Sequence, residues 1–359
     1  MKKSGFAARV RSIFHPDEPN MTVIVPALLL LALASIILAV GLGPVSVHAV
    51  TVAKIVASKL SLLASSVDRD WTQLEENIVW TLRMPRVLLG MIVGASLAVT
   101  GVAMQALVRN ALADPFLLGV SSGAAATATL GMLFGVFAFL GTYVLSISAF
   151  LGAAATIIIV YAISRVKGRI HITQLLLSGV VIAMIMDSIT NIITLSAPNA
   201  LGLHSAAFWM SGSLAGAKWA YLTLPLIVMV CCITALMISY RSLNALTLGD
   251  ETAGTLGYNV NRMQKLLILV ASLLAGVTIA VSGAIGFIGL MVPHLTRLLV
   301  GSDHKRVLIV SALLGGILVV WADVVARMVI APQELPIGLL TSLVGGPFFI
   351  WLLKRRSRE

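Results

Sequence analysis

Long apolar stretches alternate with short polar ones along almost the whole chain. A helix needs about 20 mostly apolar residues to cross the hydrocarbon core of a bilayer, and ten stretches are candidates for such spans. They cover residues 23–42, 87–108, 115–139, 144–164, 172–195, 222–240, 263–282, 287–300, 307–326 and 337–353. The eighth is too short to cross as an ordinary helix. The pattern predicts an all-α, polytopic membrane protein.

The composition agrees with this architecture. Hydrophobic residues make up 59% of the 359-residue chain and charged residues 11%, with a mean hydropathy of +1.02. Soluble domains are usually about 45–50% apolar and about 25% charged, so little material is left for a soluble domain. The net charge of +11 does not indicate nucleic-acid binding, because the basic residues form short clusters between apolar stretches, as membrane topology requires.

The first apolar stretch, residues 23–42, has two interpretations. It follows a basic N-terminus, as the hydrophobic region of a secretory signal does, and Val47–His48–Ala49 resembles a cleavage site. Hydrophobic regions of signals are about 7–15 residues long, which is shorter than this stretch. We therefore expect an uncleaved first span that begins a single transmembrane domain over residues 23–353, between tails at 1–22 and 354–359.

The orientation follows from the bias of Lys and Arg toward cytoplasmic loops. If the N-terminus is cytoplasmic and the spans alternate, eighteen of the 25 Lys and Arg residues lie inside. The seven outside are Lys54, Lys59, Arg69, Arg83, Arg86, Lys218 and Arg327. Both termini and the loop 241–262 are then cytoplasmic, and the segments 43–82 and 196–221 are extracytoplasmic. A short helix at the membrane surface is expected in the second of these.

Two eight-residue stretches resemble each other. Residues 94–101 read GASLAVTG and residues 276–283 read GVTIAVSG. The copies lie in the second and the seventh span, five places apart in order, so they run in opposite directions across the membrane. Repeats of inverted topology are typical of transporters, and here they would relate spans 2–5 to spans 7–10.

Glycine and proline interrupt two apolar stretches. GAIGFIGLMVPHLTRLLVGSDH (283–304) carries four glycines and a proline, and ALADPFLLGVSSGA (111–124) is the matching place in the first half. Irregular backbone at membrane depth is tolerated where it is buried in protein or lines a cavity, which favours a transport pathway. The alternative is close packing of helices through small residues, and the two interpretations are compatible.

These stretches carry a resemblance to a known family. Together with residues 82–124, LGDETAGTLG (248–257) and residues 322–353, they closely resemble the FecCD-type permeases of type II ABC importers, which take up iron–siderophore complexes, haem and vitamin B12. The likeness extends from about residue 80 to the end. One departure is Ala111, where the family usually has proline after Asn110, although Pro115 can still set the turn.

The resemblance implies a permease of the bacterial or archaeal cytoplasmic membrane with ten spans per subunit. Its partners would be a second permease copy, two ATPase subunits and an extracytoplasmic binding protein that delivers the ligand. The chain has no GxxxxGK[ST] loop, so it is expected to be no enzyme and to bind no cofactor, with ATP and Mg²⁺ on the ATPase. An iron–siderophore is the first expectation for the substrate, with haem or vitamin B12 as alternatives and an ion-coupled secondary transporter as a distant one.

The resemblance also implies where an ATPase binds. In the loop 241–262, Asp250 and Glu251 stand where a short helix would begin, which suits its N-terminal dipole, and Gly257 suits its C-terminal end. These residues resemble the coupling helices that fit a cleft on the ATPase, whereas the alternative is a solvated loop. The predicted coupling residues are Leu248, Gly249, Asp250, Glu251, Thr252, Ala253, Leu256 and Gly257.

Arginines at the outer ends of two spans are candidates for docking the binding protein. Arg83 and Arg86 precede span two and Arg327 ends span nine. In the resembling vitamin B12 importer, arginines at these motif positions pair with glutamates of the binding protein, and Arg can hold a carboxylate with two hydrogen bonds. Alternatively they anchor the spans at the interface, and Arg327 pairs with Asp323 one turn away.

One span carries a carboxylate at mid-membrane depth. Asp187, Asn191 and Thr194 share one helix face, and an intramembrane carboxylate is a functional candidate. This face either contacts a polar chelate in the pathway or is hydrogen-bonded within the bundle. No metal site is predicted, since the two cysteines, Cys231 and Cys232, are too few ligands to form one. The remaining motif residues are predicted to be structural: Asn110, Pro115, Pro293, His294, Pro336 and Gly338.

Overall fold

The computed structural model describes residues 20–59, 68–166 and 168–356. The chain forms a helical bundle whose elements follow one another with short connections. The helices are α1 (Met21–Gly41), α2 (Ala49–Lys59), α3 (Gln73–Glu76), α4 (Met84–Val108), α5 (Val120–Phe134), α6 (Val144–Ser164), α7 (Ile172–Leu195), α8 (Ala200–Met210), α9 (Thr223–Ile238), α10 (Tyr240–Thr247), α11 (Asp250–Thr255), α12 (Val260–Ser282), α13 (Ile288–Val300), α14 (His304–Met328) and α15 (Ile337–Arg356). A π-helical turn (Asn77–Arg83) joins α3 to α4. The strands β1 (Arg165–Val166) and β2 (Arg169–Ile170) form an antiparallel hairpin between α6 and α7.

The all-α prediction is confirmed. Of the described helices, seven are long and apolar enough to cross a membrane, namely α1, α4, α6, α7, α9, α12 and α14 with their flanking turns. Three further apolar helices are shorter: α5, α13 and residues 337–351 of α15. Every predicted span therefore coincides with an apolar helix, while the number of complete crossings stays a prediction.

The third predicted span, 115–139, is wrong in its bounds. The α-helix there covers only Val120–Phe134. Gly119 and Gly135 flank it with φ of +73° and +66°, a left-handed conformation that ends a helix and that glycine adopts without strain. A 3₁₀ turn, Pro115–Leu118, precedes it.

The core is built around α4, which is buried along nearly its whole length. A Cβ atom at Gly94 would lie 2.1 Å from the carbonyl oxygen of Gly315 in α14, and one at Gly101 would lie 1.9 Å from that of Gly289 in α13. Any side chain would clash at these positions. The glycines of the first repeat copy thus bring backbones into contact, as small residues do between membrane helices.

Both predicted interruptions of the helices are present. Residues 283–287 are irregular between α12 and α13, with positive φ at Gly283 and Phe287. Residues 109–114 and the 3₁₀ turn separate α4 from α5. The two meet, because a Cβ at Gly289 would lie 3.2 Å from Cδ of Pro115. The repeat copies lie in α4 and at the end of α12, and their inverted relationship stays a prediction.

The two segments that we predicted to be extracytoplasmic contact each other. The second contains α8, the short helix expected there. Trp80 and Trp219 have ring centroids 4.7 Å apart, and the Trp219 indole N–H donates to the Trp80 carbonyl at 2.9 Å. Below, "outer" and "inner" denote the sides of the membrane that the charge bias predicts.

Candidate functional site

A cavity of about 390 Å³ lies where the two interruptions meet α7. Its walls come from the loop before α5, from the middle of α7 and from the break before α13. The lining residues are Asp114, Phe116, Leu117, Val180, Ala183, Met184, Gly286, Phe287 and Leu290. Irregular backbone thus borders a cavity, as the glycine and proline pattern predicted, while its depth in the membrane stays a prediction. We call it the inner cavity.

Asp114 supplies the carboxylate of the inner cavity. It lies in the connection after α4, outside the spanning helices, and its Oδ1 accepts a hydrogen bond from the Phe116 backbone N–H at 2.7 Å. Desolvation raises the pKa of Asp114 to about 6, and the hydrogen bond from Phe116 opposes this only in part. Sequence reasoning missed this residue, because it looked for carboxylates within spans and Asp114 precedes Pro115 in a predicted turn.

The predicted polar face of α7 is exposed in the single chain. Asp187 and Asn191 are exposed and Thr194 is half-buried, with its hydroxyl donating to the Asn191 carbonyl at 3.0 Å. Met184, one turn before Asp187 and on the wall of the inner cavity, is 66% exposed. Among the described residues, none forms a salt bridge with Asp187. The face therefore continues from the inner cavity toward the outer end of α7.

A second cavity, of about 610 Å³, opens on the outer side. We call it the outer cavity; it lies between α8 and the loop before α15, and its lining residues are His204, Ala207, Phe208, Ser211, Gln333, Glu334 and Pro336. His204 is exposed there, so a histidine does face an opening that sequence reasoning did not identify. The clue was available, because His204 falls on the short helix expected in segment 196–221.

A junction of loops with Gly212 and Gly338 at its centre adjoins the outer cavity, which Ser211 and Pro336 line. The Ser213 N–H donates to the Ser282 carbonyl at 2.7 Å, and the Gly338 N–H donates to the Gly212 carbonyl at 3.4 Å. A Cβ at Gly338 would lie 2.2 Å from the Ser211 carbonyl oxygen. Pro336, which is buried, and Gly338 thus hold the start of α15 against two other loops.

The outer arginines form a buried charge cluster with two carboxylates. The Arg86 guanidinium donates to both oxygens of Asp323, at 2.8 to 3.1 Å, and through Nη1 to both oxygens of Glu334 at 2.9 Å. Arg327 pairs with Asp323 across one helical turn, Nε to Oδ2 at 3.0 Å. We call Arg86, Asp323, Arg327 and Glu334 the outer cluster. It joins α4, α14 and the loop before α15.

Arg83 and Arg327 also hold the end of α1. Arg83 donates through Nη1 to the carbonyls of Val40 and Gly41 at 3.0 and 3.1 Å, and through Nη2 to that of Val45. Arg327 donates to the carbonyls of Ala39 and Leu42 at 3.2 and 3.3 Å. The last carbonyls of a helix lack partners within it, and here guanidinium groups supply them.

The arginines that we predicted to dock the binding protein, Arg83, Arg86 and Arg327, have their partners within the chain. All three side chains are buried and bonded within the chain, with fractional exposures of 7%, 8% and 3%. The alternative that Arg327 pairs with Asp323 is confirmed. Sequence reasoning missed Glu334 as a partner of Arg86, since a separation of 248 positions leaves no local pattern to read. Contact with a binding protein stays a prediction.

The inner loop contains the short helix predicted from Asp250 and Glu251. Both lie in the first turn of α11, Gly249 precedes it with φ of +114°, and Gly257 follows with φ of +85°. Ala253 is the buried residue of this helix. Leu248 and Leu256 are 66% and 58% exposed at its two ends, and Glu251 and Thr252 are exposed between them. The helix therefore presents apolar and acidic groups to the solution.

This helix is tied to the central span. Asp250 Oδ2 lies 3.1 Å from Nη2 of Arg109, the residue that ends α4 in a left-handed conformation. One turn further into α4, Gln105 donates to the Gly289 carbonyl at 3.3 Å and accepts from Arg297 of α13. These polar contacts link α11 through α4 to the first turn of α13.

The other motif residues have structural positions. Asn110 accepts from the Leu112 N–H at 3.0 Å, which forms a turn after α4. Pro115 is buried at the start of the 3₁₀ turn. Pro293 lies buried inside α13, with His294 half-buried beside it. These placements agree with the structural roles expected of them and leave those roles untested.

Comparisons with known proteins cover nearly the whole chain. The model of the FecCD transport family matches residues 29–355. The hemin transport system permease protein HmuU of Yersinia pestis is 40% identical over 310 residues, which are 84% of this chain and 92% of that protein. The cobalamin import system permease protein BtuC of Halobacterium salinarum is 40% identical over 280 residues, 78% of this chain and 74% of that protein. A solved inward-facing conformation of a metal-chelate type ABC transporter superposes with a TM-score of 0.79 at 29% identity, covering 92% of this chain and 99% of that one.

Proposed function

The chain belongs to the FecCD transport family and is a membrane-spanning permease of the ABC importer type rather than an enzyme; from this premise we propose that two copies form an importer of iron–siderophore complexes. The relatives are named for hemin, cobalamin and Fe(3+)-citrate transport, so the substrate class is a large metal chelate. Among such chelates, the iron–siderophore is our choice, and haem is the alternative.

The observation that carries the proposal is the exposed polar face of α7. Asp187 and Asn191 lie on a membrane-spanning helix with no protein covering them in the single chain. An ionisable side chain facing hydrocarbon costs several kcal/mol, so such residues face a bundle interior or a water-filled path. A second copy of the chain, placed with its α7 opposite, supplies that environment. The path then connects the outer cavity with the inner one.

Cysteine cross-linking tests this arrangement directly. In a Cys231→Ser, Cys232→Ser background, Met184→Cys should form a disulfide-linked dimer in membranes treated with oxidant. The matched control is Leu224→Cys on α9, which is 63% exposed but belongs to another helix. Cross-linking of Leu224→Cys alone, or of neither variant, would refute a dimer axis along α7.

Coupling to an ATPase is proposed for the face of α11. Leu248, Leu256 and Glu251 are exposed there, and two exposed leucines beside an acidic group suit a cleft on a partner better than water. The Arg109–Asp250 contact gives a route from this surface to α4. The proposal requires that the loop 241–262 be cytoplasmic, as the charge bias predicts.

We propose that the binding protein docks at Arg86, where one of its carboxylates replaces the carboxylate of Glu334. Glu334 is 31% exposed and lines the outer cavity, so a glutamate of the binding protein can replace it on Nη1 of Arg86. Asp323 stays in place during this exchange, because it is buried between Arg86 and Arg327. Arg83 and Arg327 act through α1, whose final carbonyls they hold.

Transport assays separate the substrates and the energy source. Proteoliposomes that contain the permease, its ATPase and an internal ATP supply should take up a labelled ferric siderophore from the loaded binding protein. Hemin and cyanocobalamin serve as competing cargoes. Uptake that stops when the proton gradient is dissipated while ATP remains would contradict the ABC mechanism and favour a secondary transporter.

Because of His204, haem is the second candidate for the substrate. It is exposed on the wall of the outer cavity, and imidazole is a ligand of haem iron. If haem is the cargo, His204→Ala should lower hemin uptake severalfold. Equal siderophore uptake by both proteins, with no hemin uptake by either, would exclude this candidate.

A further inference from the structure

A groove with no assigned role runs between α6 and α12 and opens to the surroundings of the bundle. Its volume is about 450 Å³. The walls are apolar apart from the Ser272 hydroxyl, midway along α12, and from Tyr161 and Lys265 at one end. At the other end, Gly276 of α12 faces Phe150 and Ala153 of α6, with 3.6 Å between those side chains and a Cβ placed at Gly276. We call this the α6–α12 groove.

The groove has the depth of one leaflet. Lys265 and Gly276 are about 16 Å apart along α12, at about 1.5 Å per residue. Half of a hydrocarbon core of about 30 Å is about 15 Å. Lys265 lies near the start of α12, at the inner end, so the groove extends from the inner interface to about the middle of the bilayer. This length matches an acyl chain of the inner leaflet, which can enter the groove from the membrane.

Basic side chains surround the inner end of the groove. Arg262 is exposed one turn before Lys265, and the β1–β2 hairpin adds the exposed Arg165 and Arg169. The hairpin is held near α12 by a hydrogen bond from Asn261 to the Gly168 carbonyl at 3.4 Å. Within the described parts of the chain, no Asp or Glu forms a salt bridge with these four cations. The groove thus joins an apolar slot to unneutralised positive charge.

We propose that the α6–α12 groove binds an anionic glycerophospholipid of the inner leaflet, with its phosphate at Lys265 and Arg262 and one acyl chain between the two helices. Basic pockets between membrane helices on the cytoplasmic side suit anionic headgroups, and each Lys or Arg near the surface adds attraction. A second copy of the chain is a less suitable occupant, because in a symmetric contact its own basic cluster would repel this one. Free phosphate is also a less suitable occupant, because it would leave the apolar slot empty.

Native mass spectrometry of the full-length protein in detergent tests the proposal, with phosphatidylglycerol and phosphatidylcholine of identical acyl chains as probes. The wild-type chain should retain phosphatidylglycerol in preference to phosphatidylcholine. Lys265→Gln should weaken that retention about fivefold, as expected for one cation at the surface. Lys354→Gln removes a charge at the inner end of α15, away from the groove, and should have no such effect.

A second pair of variants tests the slot itself. Ala154→Leu fills the groove wall and should lower phosphatidylglycerol retention at least fivefold, whereas Ala155→Leu, on a neighbouring and exposed face of α6, should not. Equal retention of both lipids by the wild-type chain, or equal loss in each variant and its control, would overturn the proposal. So would competition by inorganic phosphate, or a change of oligomeric state in Ala154→Leu, which would indicate a free-anion site and a protein interface respectively.

Discussion

Charged residues at the two ends of the bundle are used in opposite ways. At the outer end, Arg86 and Asp323 are buried and bonded to each other and to further groups. At the inner end, Asp250 and Glu251 begin a short helix, where Glu251 is exposed and Asp250 is half-buried beside Arg109. Burying a charge is tolerated only with close partners, whereas an exposed charge is free to meet another protein. The outer end therefore holds the helices together, and the inner end offers a contact surface.

The largest difference between the two ends should appear in stability. Arg86→Met leaves Asp323 and Glu334 with one fewer cation in a buried site, and breaking such a pair costs about 3–5 kcal/mol. Asp250→Asn removes an exposed ion pair with Arg109, which is worth about 0–1 kcal/mol. Thermal unfolding of the purified variants in detergent should show a large drop for the first only. Similar drops for both would mean that the outer cluster does not stabilise the bundle.

The next effect concerns the inner surface and should leave stability unchanged. Asp250→Lys combined with Glu251→Lys reverses the charge of α11 and removes the contact with Arg109. ATP-driven uptake should fall at least tenfold while the thermal unfolding temperature stays near that of the wild type. Thr255→Lys adds a charge to the same helix outside its first turn and serves as the control. Normal uptake in the double variant would remove the coupling role of α11.

The sequence predicted the elements well because the membrane imposes them. Apolar length fixed most helices within a few residues, and α6 and α7 begin and end where the pattern placed them. The third span failed, since Gly119 and Gly135 adopt left-handed conformations that hydropathy does not register. Glycine and proline marked the break before α13, yet only the structure shows that it meets the loop after α4.

The side-chain partners were largely out of reach of the sequence. A pattern on one helix revealed the pair Arg327 and Asp323, because its members are four residues apart. Arg86 and Glu334, in contrast, meet only after α4 and the loop before α15 have packed together. Their burial reverses the expectation of free arginines at a docking surface, since the same residue types suit both roles.

Asp114 extends the comparison, because this half-buried carboxylate forms no salt bridge with a cation among the described residues. Its folded pKa of about 6 lies above the ordinary value of 3.8, so the folded state holds this proton more tightly than the unfolded one. The contribution is fully present below about pH 4 and is lost as the pH rises through about 6. Asp114→Asn, which can still accept from Phe116, should be nearly neutral at pH 4 and stabilising by about 3 kcal/mol at pH 8.

Unfolding temperatures at the two pH values measure this effect. Asp70 provides the contrast, because its hydrogen bond with Lys54 lowers the pKa of Asp70. Its contribution is therefore present above the ordinary value and is lost as the pH falls through the folded pKa. Asp70→Asn should thus show no gain at pH 8. A gain in Asp114→Asn that is equal at both pH values would show that the carboxylate does not titrate as its burial implies.

The smallest expected effect decides whether the outer cluster also serves in docking. Glu334→Gln keeps the shape of the side chain but removes the charge that a carboxylate of a binding protein would have to displace from Arg86. If exchange occurs, capture of the loaded binding protein should strengthen severalfold, because the resident competitor is weaker. If Arg86 is purely structural, capture should not change, and only the unfolding temperature should fall slightly. Surface-immobilised permease with the binding protein in solution measures the affinity. Glu75→Gln, a half-buried carboxylate in the predicted outer segment 43–82, controls for the general loss of negative charge. Weaker capture in Glu334→Gln than in Glu75→Gln would show that Glu334 itself contacts the binding protein, which would replace the exchange at Arg86 with a direct role for this carboxylate.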